Sequence, residues 1–243
     1  MLGKSKVKYI QSLGQKKFRD EEGLFIAEGP KIVEELIRIA PAQVKEVFAL
    51  QEWLNQAPSL PTTINSVSIT EEELEKISQL KTPNKVLALV SYFTEERIRL
   101  NNQLSIGLCG IQDPGNLGTI IRIADWFGIR QVICSKDSAD RYNPKVVQST
   151  MGSIARVNVF YTDLEVLLME NPGFPVYATV LEGEDVKTAG QPSEGLILIG
   201  NESKGIPATI LAMANNRITI KRKGGAESLN AAVATGIILS HLT

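Results

Sequence analysis

The stretches GLILIGNESKGIP (195–207) and RITIKRKGGAESLNAAVATGIILSH (217–241) decide how this chain is read. Each is a short apolar run that ends in a polar loop containing glycine. Such runs suit strands covered on both faces, so Leu196 to Ile199 and Ile218 to Ile220 are expected to be neighbouring strands of a buried sheet. Ligands of open α/β sheets bind beyond the carboxyl ends of the strands, which directs attention to residues 200–205 and 221–228. Glycine-rich strand exits are also common as ordinary turns.

The rest of the chain alternates strand and helix patterns, which predicts an α/β fold. Strands are expected at 24–28, 44–50, 63–67 and 86–92, with helices at 5–13, from Gly29-Pro30 to Ala40, and from Thr70. A polar stretch from Phe93 to Gln103 follows, and the domain boundary is placed near residue 100. Beyond it, strands are expected at 104–111, 131–134, 157–160, 175–180, 196–199 and 218–220. Helices are expected at 116–127, 144–151, 163–170, 207–213 and 228–242.

Composition narrows the function. With 243 residues, 43% hydrophobic and 22% charged, the chain has the make-up of ordinary globular domains rather than of a disordered segment. No apolar run approaches the ~20 residues that span a bilayer, and the first residues lack the apolar core of a signal peptide, so a cytoplasmic location is expected. Cys109 and Cys134 lie in apolar runs without CxxC spacing and read as buried thiols. A single histidine, His241, gives no basis for a metal site. Net charge is −1, yet Lys4, Lys6, Lys8, Lys16, Lys17 and Arg19 precede the first acidic residue, Asp20. Local positive charge of that kind suits phosphate contact, or a solvated basic helix.

Gly200-Asn201-Glu202-x-x-Gly205, then Ser228-Leu229-Asn230 at the head of an alanine-rich helix, resembles the second and third motifs of the SpoU (TrmH-like) RNA ribose 2'-O-methyltransferases, in the SPOUT superfamily. Their first motif, Asn-x-Gly-x-x-x-Arg after an apolar strand, is matched by Asn116 to Arg122. The three motifs span roughly residues 104–243. The resemblance implies a trefoil-knotted, parallel-sheet methyltransferase domain at 101–243, preceded by a small α/β substrate-binding domain at 1–100. It implies S-adenosylmethionine as cofactor, structured RNA as substrate, ribosomal RNA before transfer RNA, and a homodimer. Sequence rules alone predict an unknotted sheet, since chain connections do not normally thread loops.

By the same resemblance Arg122, Asn116, Glu202, Ser228 and Asn230 are the catalytic set, while Gly200, Ile220, Leu229 and Thr179 fall at cofactor positions. Read from the residues themselves, Arg122 shares a helix face with Thr119, Asp125 and Trp126 and points away from the core. It is either an exposed arginine paired with Asp125 or stacked on Trp126, or a group that orients the ribose hydroxyl. A guanidinium is not deprotonated in proteins, so positioning suits it better than a base role. Asp113 is a further polar candidate near these loops. Asn116 and Ser228 read as helix N-caps, and Gly200 as a position where backbone approaches ligand closely. Two rivals stand beside this reading. One is an RNA-binding protein that kept the fold without the activity. The other is a nucleotide-cofactor oxidoreductase, disfavoured because no GxGxxG follows a strand.

Overall fold

The computed structural model describes residues 2–56, 60–94 and 96–243. In chain order the elements are α1 (Lys4–Ser12), α2 (Lys16–Glu22), β1 (Leu24–Glu28), α3 (Pro30–Ile39), β2 (Val44–Ala49), α4 (Gln51–Gln56), β3 (Asn65–Ser68), α5 (Glu71–Ile77) and β4 (Val86–Ser91). There follow β5 (Leu104–Leu108), α6 (Pro114–Trp126), β6 (Gln131–Ser135), α7 (Pro144–Thr150), β7 (Asn158–Thr162) and α8 (Leu164–Met169). The last are β8 (Val176–Asp185), β9 (Gly195–Ile199), α9 (Ala208–Ala212), β10 (Asn216–Thr219) and α10 (Ala231–Leu242).

The chain packs into two compact units, Met1–Thr94 with Asp140–Ala155, and Glu95–Ala139 with Arg156–Thr243. Where one division near residue 100 was expected, the first unit thus takes back a later stretch. Its sheet has the order β1-β4-β2-β3, with β4 antiparallel to β1 and β2, and β2 parallel to β3. Alternation along β1 and β4 sends Phe25, Ala27, Val86, Ala88 and Val90 to one face and Ile26, Leu87 and Leu89 to the other. Helix α3 covers the first face together with Tyr142, Val147 and Ile154 of the returning stretch, while α1 and α5 cover the second. Tyr142 stacks between Phe25 and Tyr92, at ring-centroid separations of 4.8 and 4.0 Å.

Two of the basic residues expected to meet phosphate are structural instead. Arg19 is only 2% exposed, donates to the Leu13 and Gly14 carbonyls and pairs with Asp140 at 2.6 Å. Lys6 is paired with Glu46. Lys4, Lys8, Lys16 and Lys17 remain exposed.

The second unit holds a six-stranded parallel sheet in the order β10-β8-β9-β5-β6-β7. Strand β9 is apolar and buried at every position, as a sheet covered on both faces requires. The expectation that β9 and β10 are neighbours is corrected, because β8 lies between them and pairs with both. Sequence order carries no information about such a crossover. Strand β8 also runs to Asp185, past the expected end at residue 180, and its pairing with β10 jumps from Ala178↔Arg217 to Glu184↔Ile218. Residues 179–183 are therefore bulged out of register. Thr179 Oγ1 donating to Leu198 O (2.8 Å) and Thr219 Oγ1 donating to Leu181 O (3.1 Å) pin the bulge. Glycine at 183 lets it close, since a Cβ there would sit 2.7 Å from Arg217 O.

Candidate methyl-transfer site

Three segments of the second unit converge beyond the carboxyl ends of β8, β9 and β10. They are the head of α6, the loop 200–206 after β9, and the loop 220–230 that leads into α10.

Helix α6 starts two residues earlier than expected. Asp113 is its N-cap, its carboxylate accepting the Asn116 N–H at 2.8 Å, and Pro114 occupies the first turn. Asn116 is therefore not the cap. Its side chain is left free to turn outward, and its Nδ2 donates to Glu202 Oε1. The expected cap at Ser228 is likewise corrected, because α10 begins after Asn230, whose Oδ1 accepts the N–H groups of Ala232 (3.0 Å) and Val233 (3.2 Å). Asn230 Nδ2 in turn donates to Asn116 Oδ1 at 2.8 Å.

These bonds form one directional chain, from the α10 amides through Asn230 and Asn116 to the Glu202 carboxylate. Every amide oxygen accepts and every amide nitrogen donates, so the orientation of each side chain is set by the next. Chains of this kind polarise one another in the same sense. All three motif segments are thereby tied to one another.

The loop after β9 is held as tightly. Asn201 and Gly205 exchange two backbone hydrogen bonds at 3.1 and 2.9 Å. Asn201 Oδ1 accepts from the N–H groups of Ser203 and Lys204, while its Nδ2 donates to Gly110 O at 2.6 Å. Glycine at 200 is required because a Cβ would lie 2.6 Å from the Gly205 carbonyl carbon. The close approach inferred for Gly200 is thus first an approach to its own loop.

Between the loops lies a cleft of about 750 Å³, within the size range of cofactor sites. Thr179, Gly200, Ile220 and Leu229 all line it, as do Glu202 and Ser228. Its walls at Ile199, Ile218, Ile220 and Ile238 are apolar, and the polar residues of the two loops line it as well. A cleft of this size that combines those apolar walls with the polar side chains of Thr179, Glu202 and Ser228 suits a ligand of nucleoside size. Ser228 is exposed and makes no side-chain hydrogen bond among the described residues.

Arg122 is not brought to the cleft. It is exposed and has no hydrogen bond or ion pair among the described residues. The expected partner Asp125 is held instead by Arg156 at 2.6 Å. Arg122 lies six positions after Asn116, so the two project from different sides of α6. Below Arg122 on the same face stands Trp126, 84% exposed.

Both cysteines are buried, as the apolar runs suggested. Burial pushes the Cys109 thiol up to about 12, with the Asp137 carboxylate adding to the rise. Among the described residues no group of three His, Cys, Asp or Glu side chains could hold a metal ion, and no helix is long and apolar enough to cross a membrane.

The model of the SpoU rRNA Methylase family matches residues 103–240, which include every element of this cleft. The chain belongs to that family. It is an RNA methyltransferase that uses S-adenosylmethionine. A model described as an MRM3-like substrate binding domain matches residues 4–88. The chain is 32% identical to a 23S rRNA (guanosine(2553)-2'-O)-methyltransferase, RlmP, of Bacillus subtilis, over 98% of this chain and 95% of that one. A TrmH-family chain from Porphyromonas gingivalis superposes with a TM-score of 0.89 at 34% identity, covering 99% and 98% of the two chains. An AdoMet-bound rRNA methyltransferase from Sinorhizobium meliloti superposes with a TM-score of 0.86 at 29% identity, covering 99% and 95%.

Proposed function

We propose that this SpoU-family chain methylates the 2'-hydroxyl of a ribose in ribosomal RNA. The observation that carries the reading is the hydrogen-bonded chain from α10 through Asn230 and Asn116 to Glu202, set at a cleft of cofactor size. The names of the Bacillus subtilis and Sinorhizobium meliloti relatives favour ribosomal RNA, and the former favours the 2'-oxygen.

Bound in the cleft, S-adenosylmethionine supplies an electrophilic methyl group. Thr179, Gly200, Ile220 and Leu229, which line the cleft, are the residues that would hold it. Attack by the ribose oxygen needs alignment and an acceptor for its proton. Asn116 holds one Glu202 oxygen, which leaves the other to take that proton as the methyl carbon exchanges its bond to sulfur, which keeps the electron pair, for one to the ribose oxygen. Ser228, on the cleft wall, donates to the ribose or its phosphate. Arg122 keeps its proton throughout and acts as a forked donor that orients the hydroxyl and the adjacent phosphate.

The position of Arg122 favours a homodimer formed through the outer face of α6, in which the arginine reaches the cleft of a second copy. Exposed Trp126 and Val233, on α6 and α10, supply apolar surface for such a contact. Residues 1–100 are read as the RNA-binding part and 101–243 as the catalytic part, with α10 tucked through a loop into the trefoil knot of the family. A cytoplasmic location goes with an RNA substrate of this kind.

The test is a map of ribose methylation in all stable RNA from cells lacking this chain. One ribosomal 2'-O-methyl group should vanish, return with the wild-type chain, and stay absent with Asn116→Asp. An intact ribosomal pattern would remove the reading.

A further inference from the structure

We propose that Lys221, Arg222 and Lys223 form a clamp for the RNA backbone next to the target nucleotide. This rests on the RNA reading above and adds the residues that hold the strand at the cleft. All three line the cleft that Gly200, Glu202 and Ser228 also line, and all three are exposed.

Their charge is largely uncommitted. Lys221 is 3.9 Å from Asp185 with its side chain 70% exposed, a separation at which a surface pair holds little. Arg222 uses Nη1 to donate to Ala226 O at 3.1 Å, which ties the loop back on itself, and makes no other hydrogen bond among the described residues. Lys223 has no partner among the described residues. Of the nearby carboxylates, Glu184 accepts from Thr188 and Glu202 from Asn116, and Glu227 lies within the loop itself. Residues 221–227 thus carry three cations against one anion. Gly224 and Gly225 have nothing within 4 Å of where a Cβ would stand, so the loop has room for a strand to lie against it. Exposed cations lining a site are suited to phosphate oxygens, which are read by charge and not by base. The carboxylate of the cofactor's amino-acid end offers similar oxygens, and the experiment separates the two.

Lys221→Gln, Arg222→Gln and Lys223→Gln would be combined in the full chain. Binding of total ribosomal RNA, from cells lacking the protein, is followed by filter retention across a salt series, and S-adenosylhomocysteine binding by calorimetry without RNA. RNA affinity should fall at least about tenfold at ~0.1 M salt, and the slope of log affinity on log salt should drop by about 2, near 0.7 for each phosphate left without its cation. Cofactor-product affinity should stay within about twofold, and Lys221→Arg with Lys223→Arg should keep the wild-type slope. An unchanged slope overturns the clamp. So does a fall in S-adenosylhomocysteine affinity, which would assign the loop to the cofactor carboxylate. Because binding needs no methyl transfer, a failed methylation map removes the proposed reaction without deciding this point.

Discussion

Asn116 and Asn230 divide structural from chemical roles more sharply than any other pair in the chain. Asn230→Asp keeps the cap, because aspartate caps as well as asparagine and suits the positive end of a helix. It loses the donor to Asn116. Stability should stay within ~0.5 kcal/mol of wild type by thermal or urea unfolding, while single-turnover methyl transfer falls at least tenfold. Asn230→Ala should lose the activity and about 1 kcal/mol of stability as well. Asn116→Asp should be worse for activity than Asn116→Ala, because it sets a carboxylate against Glu202. Equal activity of the two Asn116 variants would mean the hydrogen-bonded chain does not matter. The motif residues were legible in the sequence, but the choice of cap for α10 was not. Ser228 and Asn230 are both good N-caps two residues apart, and only the packed helix chooses. The Asp113-Pro114 pair was a readable start signal, since a capping residue followed by proline at the first turn marks a helix N-terminus. Cys109, pushed up to about 12, should resist iodoacetamide at pH 8 in the folded chain and react after denaturation.

At the scale of elements, the loop after β9 ties the fold to the cleft. Gly200→Ala forces the loop apart at Gly205, at an overpacking cost of about 1–3 kcal/mol, and calorimetry should show S-adenosylhomocysteine affinity reduced about tenfold or more. Wild-type affinity in that variant would mean the loop is not a cofactor wall. Helices α1 and α2 make a separate prediction. Lys4, Lys8 and Lys16 are exposed, whereas Lys6 and Arg19 are held by carboxylates, so charge reversal belongs at the first three. Lys4→Glu, Lys8→Glu and Lys16→Glu together should weaken RNA binding and flatten its salt dependence without touching cofactor affinity. An unchanged slope would leave these lysines as a solvated face. Strand positions were readable to within a few residues because period and apolar runs are local. The β8 bulge was not, since it depends on Arg217 and Thr219 meeting β8 from 38 or so residues away. Helix α2 was missed because its polar sequence has no apolar period.

At the scale of the molecule, sequence could not reveal that residues 140–155 fold with the first unit, because Tyr142, Val147 and Ile154 find their partners only in the packed sheet face. Nor do local patterns say whether Arg122 serves its own cleft. On one chain it stands outside the cleft with no partner among the described residues, on a helix side different from that of Asn116. If it acts in a second copy, two inactive variants should complement. Arg122→Ala keeps an intact cleft, and Glu202→Ala keeps an intact arginine. Mixed and allowed to exchange, half the dimers would be hybrids with one complete site of two, so about a quarter of wild-type activity should return. Each variant alone should lie about 10²-fold to 10⁴-fold below wild type, with folding and S-adenosylhomocysteine binding preserved in Arg122→Ala. Arg122→Lys should not recover the loss, because a flexible ammonium cannot copy a planar fork. Light scattering on the same samples sets the terms of the result. A dimer whose mixture stays as inactive as its parts would place Arg122 in its own chain's cleft, and a monomer would remove the shared site altogether.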